Sequence, residues 1–177
     1  MRKSSKTALG GIIAALSLTL MLLSTVIPFL TYVLPAMAGI ILMIMVIEIG
    51  RKWALVAYAA VSILSLLILA DKETALMYVA FFGYYPIAKS VIEEKLPAVW
   101  EYIVKFLLFN VAVVTAYVLI LYVFRLPVEG LDTFGKWTIP LLLLMANVMF
   151  FLFDYTLSKL VSIYMSVWRK WFRKTFK

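Results

Sequence analysis

Six apolar runs, each about as long as a bilayer is thick, follow one another through the chain with only short polar breaks, and this succession decides what it can become. A run of about 20 apolar residues spans the hydrocarbon core as a helix, because in lipid every backbone N–H and C=O must be satisfied within the segment. The runs cover residues 7–27, 33–49, 53–70, 75–92, 98–124 and 137–164 of a 177-residue chain that is 66% hydrophobic and only 15% charged. No water-soluble fold of that length hides so much apolar surface. The fold class expected is an all-α integral membrane protein, a single domain of six transmembrane helices with a basic aromatic tail over 165–177.

Punctuation sets the bounds. Pro28 ends the first run; Glu48-Ile49-Gly50-Arg51-Lys52 separates the second from the third. Asp71-Lys72-Glu73 forces a turn, after which Thr74 is placed to cap a fourth helix, which Gly83 and Pro86 should kink. Arg125–Lys136 reads as loop from its Pro, Gly and charge content. Ala36-Met37-Ala38 has the form of a signal-cleavage site, but the apolar stretch before it is too long for a signal core and further spans follow, so cleavage is not expected.

The cations give the orientation. With the N-terminus in the cytoplasm, 14 of the 17 lysines and arginines fall on that side, all except Lys72, Arg125 and Lys136. The positive-inside rule then places both termini in the cytoplasm, in the cell membrane. The net charge of +8 thus reports orientation and gives no support to nucleic-acid binding. The tail puts Trp168, Trp171, Phe172 and Phe176 on one helical face and cations on the other, a pattern that lies against membrane lipid.

Absences narrow the chemistry. With no histidine and no cysteine, thiol nucleophiles, disulfides, Cys/His zinc sites and histidine general bases are excluded. No metal, cofactor or enzymatic activity is expected. Gly10-Gly11 has no lysine in register for a phosphate loop, so any nucleotide energy must come from a partner.

Five groups of residues stand out. Gly10/Ala14 and Gly11/Ala15 are two small-residue pairs one turn apart on the first helix, suited either to a close partner-helix contact or to packing within the bundle. Phe29 and Tyr32, in a proline-bounded loop without charge, read as a lid over an outward cavity or as an interfacial belt. Tyr78, Phe81, Phe82 and Tyr85 fall at i, i+3, i+4 and i+7 on one face, suited to a flat ring ligand or to bundle core. Asn110 and Asn147 are costly in hydrocarbon and fall at depths suited either to meeting near the midplane or to lining the floor of an outward pocket. Phe29, Tyr32, Tyr78, Phe82, Asn110 and Asn147 are therefore the candidate lining for a small neutral, ring-containing substrate. Lastly, Glu48, Lys89, Lys105 and Asp154 share one depth near the inner ends of different helices, an ion-pair layer or, in the sharper reading, a proton relay.

The leader ending in Lys6-Thr7-Ala8-Leu9, the motif Gly11-Ile12-Ile13-Ala14-Ala15 and the aromatic loop Phe29–Tyr32 together resemble the S components of energy-coupling-factor transporters. These are small six-helix membrane subunits that capture vitamins and related micronutrients. The resemblance implies an S-component-like bundle whose first-helix motif packs on a transmembrane coupling subunit. Two ATPase subunits would then drive uptake, with the substrate held under the first outer loop. A bacterial cell-shape scaffold of similar six-helix layout, without a small ligand, is the rival reading.

Overall fold

The computed structural model describes residues 3–123 and 138–169. The loop expected over Arg125–Lys136 and the tail residues from 170 onward lie outside them. The described chain is helical: α1 (Lys3–Leu22), α2 (Val33–Glu48), α3 (Arg51–Ile68), α4 (Lys72–Met77), α5 (Tyr85–Lys95), α6 (Ala98–Val118) and α7 (Thr138–Ile163). One π-helical turn, Tyr78–Phe82, joins α4 to α5, and others extend α6 over Leu119–Val123 and α7 over Tyr164–Trp168. Two 3₁₀ turns, Leu23–Thr25 and Pro28–Leu30, close the path from α1 to α2.

Among the described residues, five rods are long and apolar enough to cross a membrane: Lys3–Thr25, Arg51–Ile68, Lys72–Lys95, Ala98–Tyr122 and Pro140–Trp168. The sixth, α2, is apolar but has only 16 residues. Large apolar side chains crowd the outside of the bundle, among them Leu67, Leu107, Leu144 and Phe151, whereas charged Lys89, Lys105 and Asp154 are buried inside. This inversion of the soluble pattern is what lipid as the solvent selects, and the chain is an all-α membrane protein.

The short α2 is the hub. Its Met43 joins a core with Phe81, Tyr85, Phe109, Phe150 and Leu157. Leu42 and Met45 pack with Leu9 and Ile13 of α1 and Ala54 and Ala57 of α3. Ala38 reaches a third group with Met21, Val61, Ala75 and Tyr78. A helix that is apolar all round can serve three cores at once when neighbours enclose most of it, and Val33 and Met37, near its start, stay exposed. Gly50 lets α2 return directly into α3: its φ of 107° lies in the left-handed region that side chains avoid, and its N–H closes the α2 end on the Met45 carbonyl at 3.1 Å.

Two expectations need correction. The fourth helix starts earlier than Thr74: Asp71 is the cap, accepting from the Glu73 and Thr74 N–H groups at 3.1 and 3.2 Å. Thr74 instead donates its hydroxyl to Asp71 at 2.6 Å. Nor do Tyr78, Phe81, Phe82 and Tyr85 share one face. The π turn, closed by Gly83 N–H on the Tyr78 carbonyl at 2.8 Å, inserts an extra residue and rotates the rest of the rod about its axis. Tyr78 faces the core between α1, α3 and α4, while Phe81 and Tyr85 turn to α6 and α7.

Candidate functional site

The rod 72–95 is broken midway, and the break has identifiable causes. Pro86 has no N–H for the Phe82 carbonyl four residues back. That carbonyl abuts α2 so closely that a Cβ on Gly39 would collide with its oxygen. The Tyr58 hydroxyl donates to the Val79 carbonyl at 2.7 Å, satisfying a group within the π turn. Gly83 lies beneath the Tyr58 and Tyr78 rings, where a Cβ would meet ring carbons at 2.6 and 2.8 Å. Beyond the break, Tyr85 enters a cluster of rings, its centroid 4.6 Å from Phe81 and 5.5 Å from Phe150. Phe109 stacks on Phe150 at 4.6 Å.

Directly below those rings, toward the end of the bundle that carries the N-terminus, is a buried charge cluster. Lys89 and Lys105 lie about 10 Å in from the near ends of α5 and α6 by helical rise, and each is 1% exposed. Lys89 forms a short ion pair with Asp154 of α7 and a second with Glu93 at 2.6 Å. Lys105 bridges Glu93 at 2.7 Å, Glu101 at 2.6 Å and Asp154 at 3.4 Å. The Tyr85 hydroxyl donates to Asp154 at 2.6 Å. Three carboxylates thus enclose two ammonium groups, and α5, α6 and α7 are tied through one polar knot. Glu93 is the most exposed of the acids, Glu101 is less so and Asp154 least. Each acid is paired with a lysine, and among the described residues no group of acids is placed to hold a metal ion.

Of the four residues expected in this layer, Lys89, Lys105 and Asp154 meet. Glu48 does not: it accepts from Arg169 at 3.1 Å, joining the end of α2 to the end of the α7 rod. Glu48 is the last residue of α2, and Arg169 follows Asp154 by about 20 Å of helical rise along the α7 rod, so Glu48 sits at the end of the bundle, below the layer that holds Lys89 and Lys105. Glu93, Glu101 and Tyr85 are not among the expected members. The spacings Lys89/Glu93 and Glu101/Lys105, both i, i+4, are the available signal for the two acids.

The six residues singled out for a substrate are dispersed. Asn110 and Asn147 meet, but they satisfy each other: their amides exchange hydrogen bonds at 2.8 and 3.0 Å, and each also donates to its own helix, to the Phe106 and Leu143 carbonyls. Phe29 is 82% exposed at the far end. Tyr32 belongs to a clasp there, bonded to Glu73 and, at 3.1 Å, to the Tyr117 hydroxyl. Partial burial and the Glu73 carboxylate push its phenol far above the ordinary range, so it stays protonated. Thr31 extends the clasp to Asp71 at 3.3 Å, and Lys72 closes the α3 end on the Leu66 and Leu69 carbonyls at 2.8 and 2.7 Å. Tyr78 is fully buried on the α1 and α3 side, and Phe82 stands edge-on to Phe153 at 5.2 Å.

The small-residue pairs of α1 divide. A Cβ on Gly10 would lie 3.2 Å from the end of Met45 on α2, so this side is turned inward, with Ala14 packed against the core that holds Met21 and Ala38. Gly11 has nothing within 4 Å, and Ala15 is exposed beside Ile12 and Leu16. Comparison with protein-family models, with curated proteins and with solved structures finds no match to this chain.

Proposed function

We propose that this chain is the substrate-capturing membrane subunit of an uptake transporter for a small, neutral, ring-containing micronutrient, driven by a separate transmembrane coupling subunit and two ATPase subunits. The observation that carries the reading is the division of α1. One small face is used up inside the bundle, while Gly11 and Ala15 leave a shallow strip on its outside, beside the exposed row of Ile12 and Leu16. Helices associate in lipid through close packing of backbones, and such a strip admits a partner helix. The reading takes six spans with both termini in the cytoplasm. Among the described residues, every lysine and arginine except Lys72 falls toward the end of the bundle that bears the N-terminus, which supports that orientation.

Ala15→Trp covers the strip from outside the fold. Tagged native protein, purified from its own cells in mild detergent, should bring down a membrane subunit with two ATPases. The Ala15→Trp protein should lose them while keeping its thermal unfolding midpoint within a few degrees. Copurification of envelope-assembly proteins without ATPases would refute the transporter. It would favour a scaffold, which the self-satisfied Asn110–Asn147 pair also suits. Because the chain has no cysteine of its own, single cysteines at positions 4 and 176 report topology cleanly, and labelling of either from outside the cell would overturn the orientation.

A further inference from the structure

We infer that the half-helix α5 is a hinged element held between two opposed clamps, and that release of the charge cluster swings it away from α6 and α7 about the break at Gly83 and Pro86. This does not rest on the transport reading.

A hinge needs a place where the backbone is not committed to a helical ladder, and segment 78–86 provides it. The π turn, the missing Pro86 N–H and the hydrogen bond supplied from outside by Tyr58 mean that α4 and α5 are not one continuous hydrogen-bonded rod. The two halves are also held by different neighbours. Above the break, Tyr78 and Ala75 pack into the core shared with α1 and α3. Below it, α5 is gripped on two sides. Arg51 at the start of α3 bonds the Ser90 hydroxyl and carbonyl, both at 2.9 Å, and pairs with Glu94. On the other side Tyr85, Lys89 and Glu93 engage Asp154 of α7 and Lys105 of α6.

Tyr85 links the clamp to the core. Its hydroxyl is fixed on Asp154 while its ring packs on Phe81 and Phe150. Charge rearrangement at Asp154 is therefore transmitted to the aromatic cluster at mid-depth, because the same residue takes part in both. With the charge cluster open, α5 keeps its Arg51 contacts and leaves α7, and the Tyr85 ring withdraws from its neighbours.

The test is distance measurement between spin labels on cysteine pairs at Lys95 with Lys159 and at Lys95 with Lys52, all three exposed and none part of either clamp. The native protein should give one narrow distance for each pair. The double variant Lys89→Met with Glu93→Met removes both charges that α5 contributes and leaves Lys105 paired with Glu101 and Asp154, so it opens the cluster on the α5 side without stranding a charge, and should add a second, longer Lys95–Lys159 distance with Lys95–Lys52 unchanged. Adding Pro86→Ala returns the N–H to the ladder and should suppress the longer distance. Arg51→Gln, which leaves the cluster intact, should give the opposite pattern, lengthening Lys95–Lys52 alone. An unchanged single Lys95–Lys159 distance in the double variant, equal lengthening of both pairs, or a longer distance that survives Pro86→Ala would each overturn the hinge. Should the double variant fail to fold, Arg51→Gln decides alone: no selective change in Lys95–Lys52 refutes the two-clamp arrangement.

Discussion

Replacing Asp154 by asparagine keeps the shape and one acceptor for the Tyr85 hydroxyl, but removes the counter-charge closest to Lys89. That ammonium is 1% exposed, so water cannot take over. Breaking one side of a buried ion pair costs about 3–5 kcal/mol. Lys89 retains Glu93 at 2.6 Å and Lys105 retains Glu93 and Glu101, which places the expected loss at the lower end, about 3 kcal/mol. Lys89→Met alone leaves Asp154 with Tyr85 and a longer contact to Lys105 at 3.4 Å, for about 2 kcal/mol. The double variant strands no charge and should cost about 2 kcal/mol less than the two losses added together, since each single change exposes the other partner's uncompensated charge. Reversible unfolding by SDS in mixed micelles, followed by tryptophan fluorescence, measures all three. If Asp154→Asn unfolds within about 0.5 kcal/mol of the native protein, or if the single losses simply add, the two groups are independently solvated and the cluster is not a buried unit.

In the same assay, Asn110→Leu should cost about 1–2 kcal/mol because it strands the Asn147 carboxamide oxygen, whereas Asn110→Leu with Asn147→Leu should recover most of that loss. Gly39→Ala drives a Cβ into the Phe82 carbonyl, a backbone atom that cannot rotate away, and should destabilise by about 3 kcal/mol. Gly11→Ala meets open space and should leave stability within about 0.5 kcal/mol of native or raise it; a loss at Gly11 as large as that at Gly39 would refute the outward placement of Gly11. Tyr32→Phe removes the link between Glu73 and Tyr117 at a half-exposed site and should cost no more than about 1 kcal/mol.

The rods are legible because membrane helices announce themselves by length and by charges at their ends, signals that depend on neither neighbours nor register. Arithmetic that assumes an unbroken helix is where legibility ends. Gly83 and Pro86 are recognisable as a break, yet the i, i+3, i+4, i+7 rule holds across residues 78–85 only if the ladder continues. The π turn shifts register by one residue and sends Tyr78 to a different core from Tyr85. The Asp71 cap is hidden in what looks only like a charged turn. Depth counting brings Asn110 to Asn147 and Lys89 to Asp154, since axial position comes directly from residue number. Glu48 falls below that depth and goes to Arg169, because a position counted along one helix does not encode where its neighbours end or which way they face. The dispersal of the six substrate candidates has the same origin: height and chemistry alone select them. The buried charge cluster escapes that limit in part, because two of its ion pairs are written within single helices as i, i+4 spacings. A carboxylate one turn from a lysine on a mostly apolar helix is therefore a better guide to a buried polar knot than residues matched only in depth.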